Sequence, residues 1–440
     1  MKSVLILIPI LLQTIFSFGQ IATIGEYLPA WKEGMLDLHH INTGRGDAAF
    51  YILPDGTTLL VDAGEMSPTG DRIFTPRNSK IHPNYSKIPS EWIVTYIKKL
   101  YPQTETIQLD YALITHFHDD HFGAYYPGAK LSASKKYYLT GITGVAESIP
   151  IKMLIDRGYP NYSYPVPLKG NKERILSENI YDEREYESFE NYWNFIEYQV
   201  EEQGMQAASL KAGRDDQIVL INNPNAYPQF AVRNIMSNGK IWSGEGTTTF
   251  NHFPDTTGMN WKSRPHENPS SNAIRIDYGP FKYFTGGDIP GVADLGKPEW
   301  ADLETPAAKV IGEVDVATLN HHGNRDSQNE FYVKTIKPKV WVQQTWSSDH
   351  PGHEVLRRIT SRFLYPEERD LFATNMLEAN KNVIGPSLER SYKSTEGHIV
   401  VRVLPGGKEY YVIILDDDTE DYKVEKIFGP YYSKNKQPEE

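Results

Sequence analysis

The stretch Ile114-Thr115-His116-Phe117-His118-Asp119-Asp120-His121-Phe122-Gly123 places three imidazoles and two carboxylates within six positions. The preceding run, Leu109 to Leu113, reads as a strand, so these polar groups fall where a strand ends and a loop begins. Neutral imidazole and carboxylate are the ligands a divalent ion such as zinc takes when thiolate is absent, and this chain contains no cysteine. His116 and His118 point the same way from an extended backbone and can hold one ion. Asp120 and His121 turn to the next face and can hold a second. Two ions ~3.5–4 Å apart would clamp the attacking and leaving oxygens of a hydrolysed bond.

The flanking segments have a definite order. Met35 to Ile41 alternates and reads as a strand; Asn42 to Asp47 is a glycine turn; Ala48 to Leu53 is a second strand. Pro54-Asp55-Gly56-Thr57 signals a hairpin into Thr58 to Val61, which ends in Asp62-Ala63-Gly64. Ser90 is the expected N-cap of a helix from Glu91 to Tyr101. Far downstream, His266 and a Pro/Ser turn precede strands at Ala273–Asp277 and Phe281–Phe284, the second delivering Thr285-Gly286-Gly287-Asp288. Val314 to Leu319 runs into Asn320-His321-His322-Gly323. Val340 to Gln344 runs into Ser347-Ser348-Asp349-His350-Pro351, ahead of a helix from about Glu354 to Phe363.

The HxHxDH stretch resembles the signature of the metallo-β-lactamase superfamily. The GxGDA, LPDG and DAG run and the HHG and closing Thr395–Gly397 segments resemble, more narrowly, the hydrolase domain of ComEC-type DNA-uptake proteins and their secreted stand-alone relatives. The resemblance covers about residues 34–124 and 209–403. It implies an α/β, four-layer αββα metallo-β-lactamase sandwich over 22–415. The Tyr-rich segment 125–208 is then an inserted lobe, with a helix about Phe189–Val200. Its aromatics are expected to be core, with a substrate cleft as the other reading.

For the site, the resemblance implies His116, His118, Asp120, His121 and a metal-bridging Asp288 as ligands. A further histidine comes from His321 or His322, with His322 preferred, and a third for the first ion from His266, with His252 as competitor. Asp47 and Asp62 would orient ligands from behind. Asp120 and His350 are the expected catalytic groups, His350 toward the leaving group. The cofactors implied are two divalent ions, zinc first, with manganese or iron as alternatives.

The implied activity is hydrolysis of a phosphoester, foremost a phosphodiester, by metal-bound hydroxide. The alternatives are a lactone- or β-lactam-type acyl hydrolase, or a non-catalytic envelope binding module. A net charge of −12 argues against tight non-specific nucleic-acid binding and leaves a small-molecule or oligomeric anionic substrate as the expected partner. Lys135, Lys136, Lys152, Lys169, Lys172 and Arg174 are the basic residues a polymer could use. Lys2, the apolar Val4 to Ile15 and Ser17-Phe18-Gly19 read as a signal peptide over 1–19, so export to the periplasm or exterior is expected. That apolar run is shorter than the ~20 residues of a spanning helix, so no transmembrane segment is expected after cleavage. Residues 416–440 are charged and expected to be a solvated tail.

Overall fold

The computed structural model describes residues 21–68, 76–101, 107–293 and 296–434. The expected signal segment lies outside them. Two nine-stranded sheets stack face to face. The first contains β1 (Leu36–His40), β2 (Ala48–Ile52), β3 (Thr58–Ala63), β4 (Leu109–Leu113), β5 (Ile151–Asp156) and β6 (Gln206–Ser209) in sequence order. The second is built from β7 (Phe230–Ser237), β8 (Lys240–Trp242), β9 (Thr249–Asn251), β10 (Ala273–Tyr278), β11 (Phe281–Thr285), β12 (Val316–Thr318), β13 (Val340–Gln343), β14 (Asp370–Ala373) and β15 (Tyr392–Ser394). The chain then returns to the first sheet with β16 (His398–Val403), β17 (Glu409–Leu415) and β18 (Val424–Tyr432), where β16 pairs with β1.

Three apolar cores hold the layers together. The middle one interleaves the inner faces of both sheets, from Leu38, Tyr51, Leu59 and Leu113 to Ile276, Tyr283, Val316 and Val342. A second core joins the outer face of the first sheet to the helices Pro89–Leu100, Gly141–Ser148 and Glu183–Glu202. The third joins the outer face of the second sheet to Glu304–Ile311, Glu330–Ile336 and His353–Ile359. Strands buried on both faces explain the near-continuous apolar runs at β2, β3 and β12. The result is the αββα sandwich expected from the sequence.

Each sheet is antiparallel at one side and parallel at the other: β3, β4, β5 and β6 run parallel, as do β11 to β15. Parallel strands all end at the same rim. In open α/β sheets that carboxyl rim is where ligand-binding loops collect, and here it collects the loops after β3, β4, β11, β12 and β13.

Several expectations need correction. Residues 424–432 of the expected tail form edge strand β18, because Phe428 and Tyr431 present rings to the core. Phe428 packs 5.0 Å from Phe372, and Tyr431 stacks 5.2 Å from Tyr410. The segment 125–208 is not wholly an inserted lobe, since β5 and β6 continue the first sheet and the lobe is confined to what lies between and before them. The first helix is capped at Ile88, and the Ser90 amide instead donates to buried Glu65 at 3.0 Å.

Candidate metal centre

The β4 loop is clamped by the two glycine turns beside it. The Asp47 amide donates to the Asp120 carbonyl at 2.8 Å and the Glu65 amide to the Asp119 carbonyl at 3.0 Å. This approach needs glycine: a Cβ on Gly46 would stand 2.3 Å, and one on Gly64 2.0 Å, from the Asp120 carbonyl oxygen. The sequence Gly44–Asp47 and Asp62–Gly64 is therefore a cradle for one backbone segment, which explains why the two turns accompany the histidine motif.

Asp62 sits at the end of β3 with its φ at +58°, an uncommon value for a residue with a side chain. Its carboxylate accepts from the Thr115 amide and hydroxyl, both at 2.7 Å, and from His121 Nδ1 at 2.8 Å. That contact fixes a proton on Nδ1 and leaves Nε2 facing inward. Asp47 stands behind His322, its Oδ1 3.0 Å from Nδ1 as a close charge contact rather than a hydrogen bond. Both aspartates thus sit behind histidines that face Asp288.

Six side chains converge in front of them. His121 Nε2 lies 3.2 Å from Asp288 Oδ1, His322 Nε2 3.5 Å and His116 Nε2 3.6 Å from Asp288 Oδ2. His322 Nε2 is 3.0 Å from Asp120 Oδ2, and His121 Nε2 3.9 Å from it. His118 Nδ1 is 3.1 Å from His116 Nε2, and the Nε2 atoms of His121 and His322 are 3.3 Å apart. Ligands ~2.1 Å from a tetrahedral ion lie about 3.4 Å from one another, so these spacings suit metal coordination.

The chemistry suits it as well. Despite burial, the surrounding carboxylates hold His121 and His322 well above the ordinary imidazole range, so the site calls for positive charge that a bound cation can supply, and Asp288 Oδ1 is buried with no hydrogen-bond partner. Burial alone would raise the carboxyls of Asp120 and Asp288, yet His121 and His322 hold both well below the usual range. The residues present therefore fit divalent metal. His116, His118 and Asp288 form one group of donors and Asp120, His121, His322 and Asp288 another.

His266 is not among them. Its Nε2 donates to the Lys262 carbonyl at 3.1 Å and its ring packs against Tyr181. A short 3-10 turn at Asn268–Ser270 sends the next two residues inward instead. Glu267 is fully buried, paired with Arg157, and accepts from the Phe117 amide at 3.0 Å and the Tyr181 hydroxyl at 2.9 Å. Asn268 reaches the site and its Nδ2 lies 3.1 Å from His321 Nε2. His252 follows the β8–β9 hairpin, its pKa lowered by burial, and joins none of the contacts among the six convergent residues. Sequence reading missed Glu267, Asn268 and Arg157, because none belongs to a spaced motif; the one signal, for Glu267 and Asn268, was their closeness to His266.

His321 and His322 both adopt left-handed backbone, φ +48° and +52°. His321 Nδ1 donates to Asp326 at 2.6 Å, and its Nε2 is 3.9 Å from Asp288 Oδ2. His350 lies parallel to His322, ring centroids 4.7 Å apart, and burial, then the neighbouring His322, push its pKa well down. Its Nδ1 is buried without a partner. Burial pushes the Asp119 carboxyl up to about 7, with adjacent Asp120 adding to the shift.

The centre opens into a cleft of about 510 Å³, walled by Phe117, Trp346, Asn268, Arg77 and, from the inserted helix, Arg184 and Glu185. Most of the inserted aromatics stay behind the metal loop: Phe122 stacks on Phe189 at 6.0 Å and Phe117 meets Tyr192 at 5.5 Å. They are core, as expected. A larger cleft of about 930 Å³ near Tyr137, Lys152 and Tyr198 contains none of the convergent histidines. Of the six basic residues noted above, Lys152, Lys169, Lys172 and Arg174 are ion-paired with Asp110, Glu197, Glu190 and Glu178.

No protein-family model and no curated protein sequence matches the chain. Solved structures do. A CmlA β-hydroxylase mutant is 11% identical with a TM-score of 0.35, over 86% of this chain and 55% of that one. This chain thus spans about half that protein's length. Zinc-bound PqqB from Methylobacterium extorquens is 12% identical with a TM-score of 0.34, over 80% of this chain and 86% of that one. The metallo-β-lactamase fold protein YhfI from Bacillus subtilis is 10% identical with a TM-score of 0.31, over 83% and 98%. Among the described residues no helix is long and apolar enough to cross a membrane.

Proposed function

We propose that this chain is an exported, dinuclear metal-dependent hydrolase of the metallo-β-lactamase superfamily, close to the ComEC-type hydrolases, acting on phosphoesters and foremost on phosphodiesters. The observation that carries the reading is the convergence of His116, His118, Asp120, His121, Asp288 and His322, with carboxylates of Asp62 and Asp47 behind two of the histidines. Bound divalent ions, zinc being the expected species, would polarise a substrate oxygen and bring the pKa of a water to around 7.

The chain's own groups supply the rest. Asp120, held ionised, can accept a proton at Oδ2. His350 is kept neutral beside the cleft and can donate a hydrogen bond to a departing oxygen. Arg77 and Arg184 on the cleft wall supply positive charge for an anionic ester. The acidic chain and the paired lysines favour a small or short substrate over a nucleic-acid polymer. Export rests on the sequence of residues 1–19.

The test is turnover of bis(4-nitrophenyl) phosphate, a simple lactone and a β-lactam by the mature protein reconstituted with zinc. Phosphodiester turnover abolished by Asp288→Ala is expected. Turnover of the lactone or β-lactam alone would replace the substrate class. A protein that binds ions yet turns over none of the three would promote the binding-module reading.

A further inference from the structure

His121 and His322 each have a carboxylate behind the ring, His121 Nδ1 donating to Asp62 at 2.8 Å and His322 Nδ1 lying 3.0 Å from Asp47, and the other nitrogen of each faces Asp288. His321 repeats the arrangement. Its Nδ1 donates to Asp326 at 2.6 Å, with Lys297 3.2 Å from the other Asp326 oxygen, so its proton is fixed on Nδ1 and its Nε2 carries the lone pair. That Nε2 lies 3.9 Å from Asp288 Oδ2, the oxygen that His116, at 3.6 Å, and His322, at 3.5 Å, also approach. A carboxylate on the far nitrogen is the usual support of a metal-binding histidine.

The backbone explains how neighbours in sequence can serve different ions. Two consecutive left-handed residues, φ +48° and +52°, splay the rings to centroids 6.2 Å apart at 57°. Extended backbone would send successive side chains to opposite faces and away from a shared carboxylate. Non-glycine residues rarely adopt this conformation, and strain of that kind collects at functional sites. The first ion, meanwhile, lacks the third histidine expected at His266, which is bonded to the Lys262 carbonyl.

We infer that His321 is the missing nitrogen ligand of the first ion, so that the His321-His322 pair is divided, one histidine to each ion, across Asp288. The assignment rests on the dinuclear reading above. Asp326 is then a positioning residue, and Asn268, whose Nδ2 is 3.1 Å from His321 Nε2, is the neighbour that competes for that lone pair.

The test is metal content and chelator-competition affinity of the full-length mature protein loaded with zinc. Wild type, His321→Ala, His322→Ala and Asp326→Asn are compared, with apo-protein melting as a folding control. Two ions are expected in wild type and one in each histidine variant. Asp326→Asn, which leaves the ring in place, should weaken one ion about 10–100-fold. Cobalt substitution adds a spectroscopic readout: His321→Ala and His322→Ala should lose different visible bands. His321→Ala and Asp326→Asn holding two ions at wild-type affinity would overturn the assignment and reduce His321 to a partner of Asn268. A wild type that holds fewer than two ions would overturn the dinuclear reading and the assignment with it.

Discussion

Replacing Asp62 by asparagine tests whether the ligands are oriented from behind. The substitution keeps the size of the side chain and removes one acceptor. Asp62 receives three hydrogen bonds, from the Thr115 amide and hydroxyl and from His121 Nδ1. An amide NH2 would face the Thr115 hydroxyl or the His121 N–H, donor against donor. The hydroxyl can rotate away, but the imidazole must change tautomer or turn, and either takes the Nε2 lone pair off the ion. Loss of such a partner costs about 10–100-fold in metal affinity, equivalent to about 1.4–2.8 kcal/mol. An unsatisfied buried donor should also destabilise the metal-free protein by about 1–3 kcal/mol. Chelator competition reads the first quantity and denaturant unfolding of the apo-protein the second. An Asp62→Asn protein that binds both ions within about threefold of wild type would refute the orienting role, given that tenfold is the least loss expected.

Further outcomes follow from the same geometry. Gly64→Ala puts a methyl 2.0 Å from the Asp120 carbonyl oxygen, so the β4 loop must move; loss of at least one ion is expected, read by metal analysis. Arg157→Met leaves Glu267 charged and buried, and should cost about 3–5 kcal/mol in denaturant unfolding. His40 and His398 are fully buried and pushed by burial to about 3. A histidine depressed in the folded state stabilises above its unfolded pKa, and that contribution is lost as pH falls from about 6.5 toward 3. By pH 4.5 each should cost about 3 kcal/mol, so melting should drop steeply between pH 7 and pH 4.5 and less steeply in His398→Gln.

Much of this was legible in the sequence because local rules and tertiary contacts agree there. The β1–β4 block shows apolar runs of strand length divided by turns, two of whose glycines, Gly46 and Gly64, allow the approach to Asp120. Asp288 and the His321-His322 pair were legible for the same reason: each follows a short apolar strand, and parallel strands end at one rim. The third histidine was not. His266 has the right neighbours in sequence, but a single short turn decides whether residue 266, 267 or 268 faces the centre, and no periodicity encodes that. Asp326 was invisible because its partner lies five residues away around a left-handed bend. Charge misled at the C-terminus, where Glu425 is exposed while Phe428 and Tyr431 hold β18 to the sheet.

The central claim is that one carboxylate, Asp288, joins two metal half-sites. The most direct measurement is anomalous X-ray diffraction from crystals of the mature protein loaded with zinc. The account expects two peaks ~3.5–4 Å apart, one beside His116 and His118 and one beside Asp120, His121 and His322, with Asp288 between them. A single peak, or peaks away from Asp288, would contradict it.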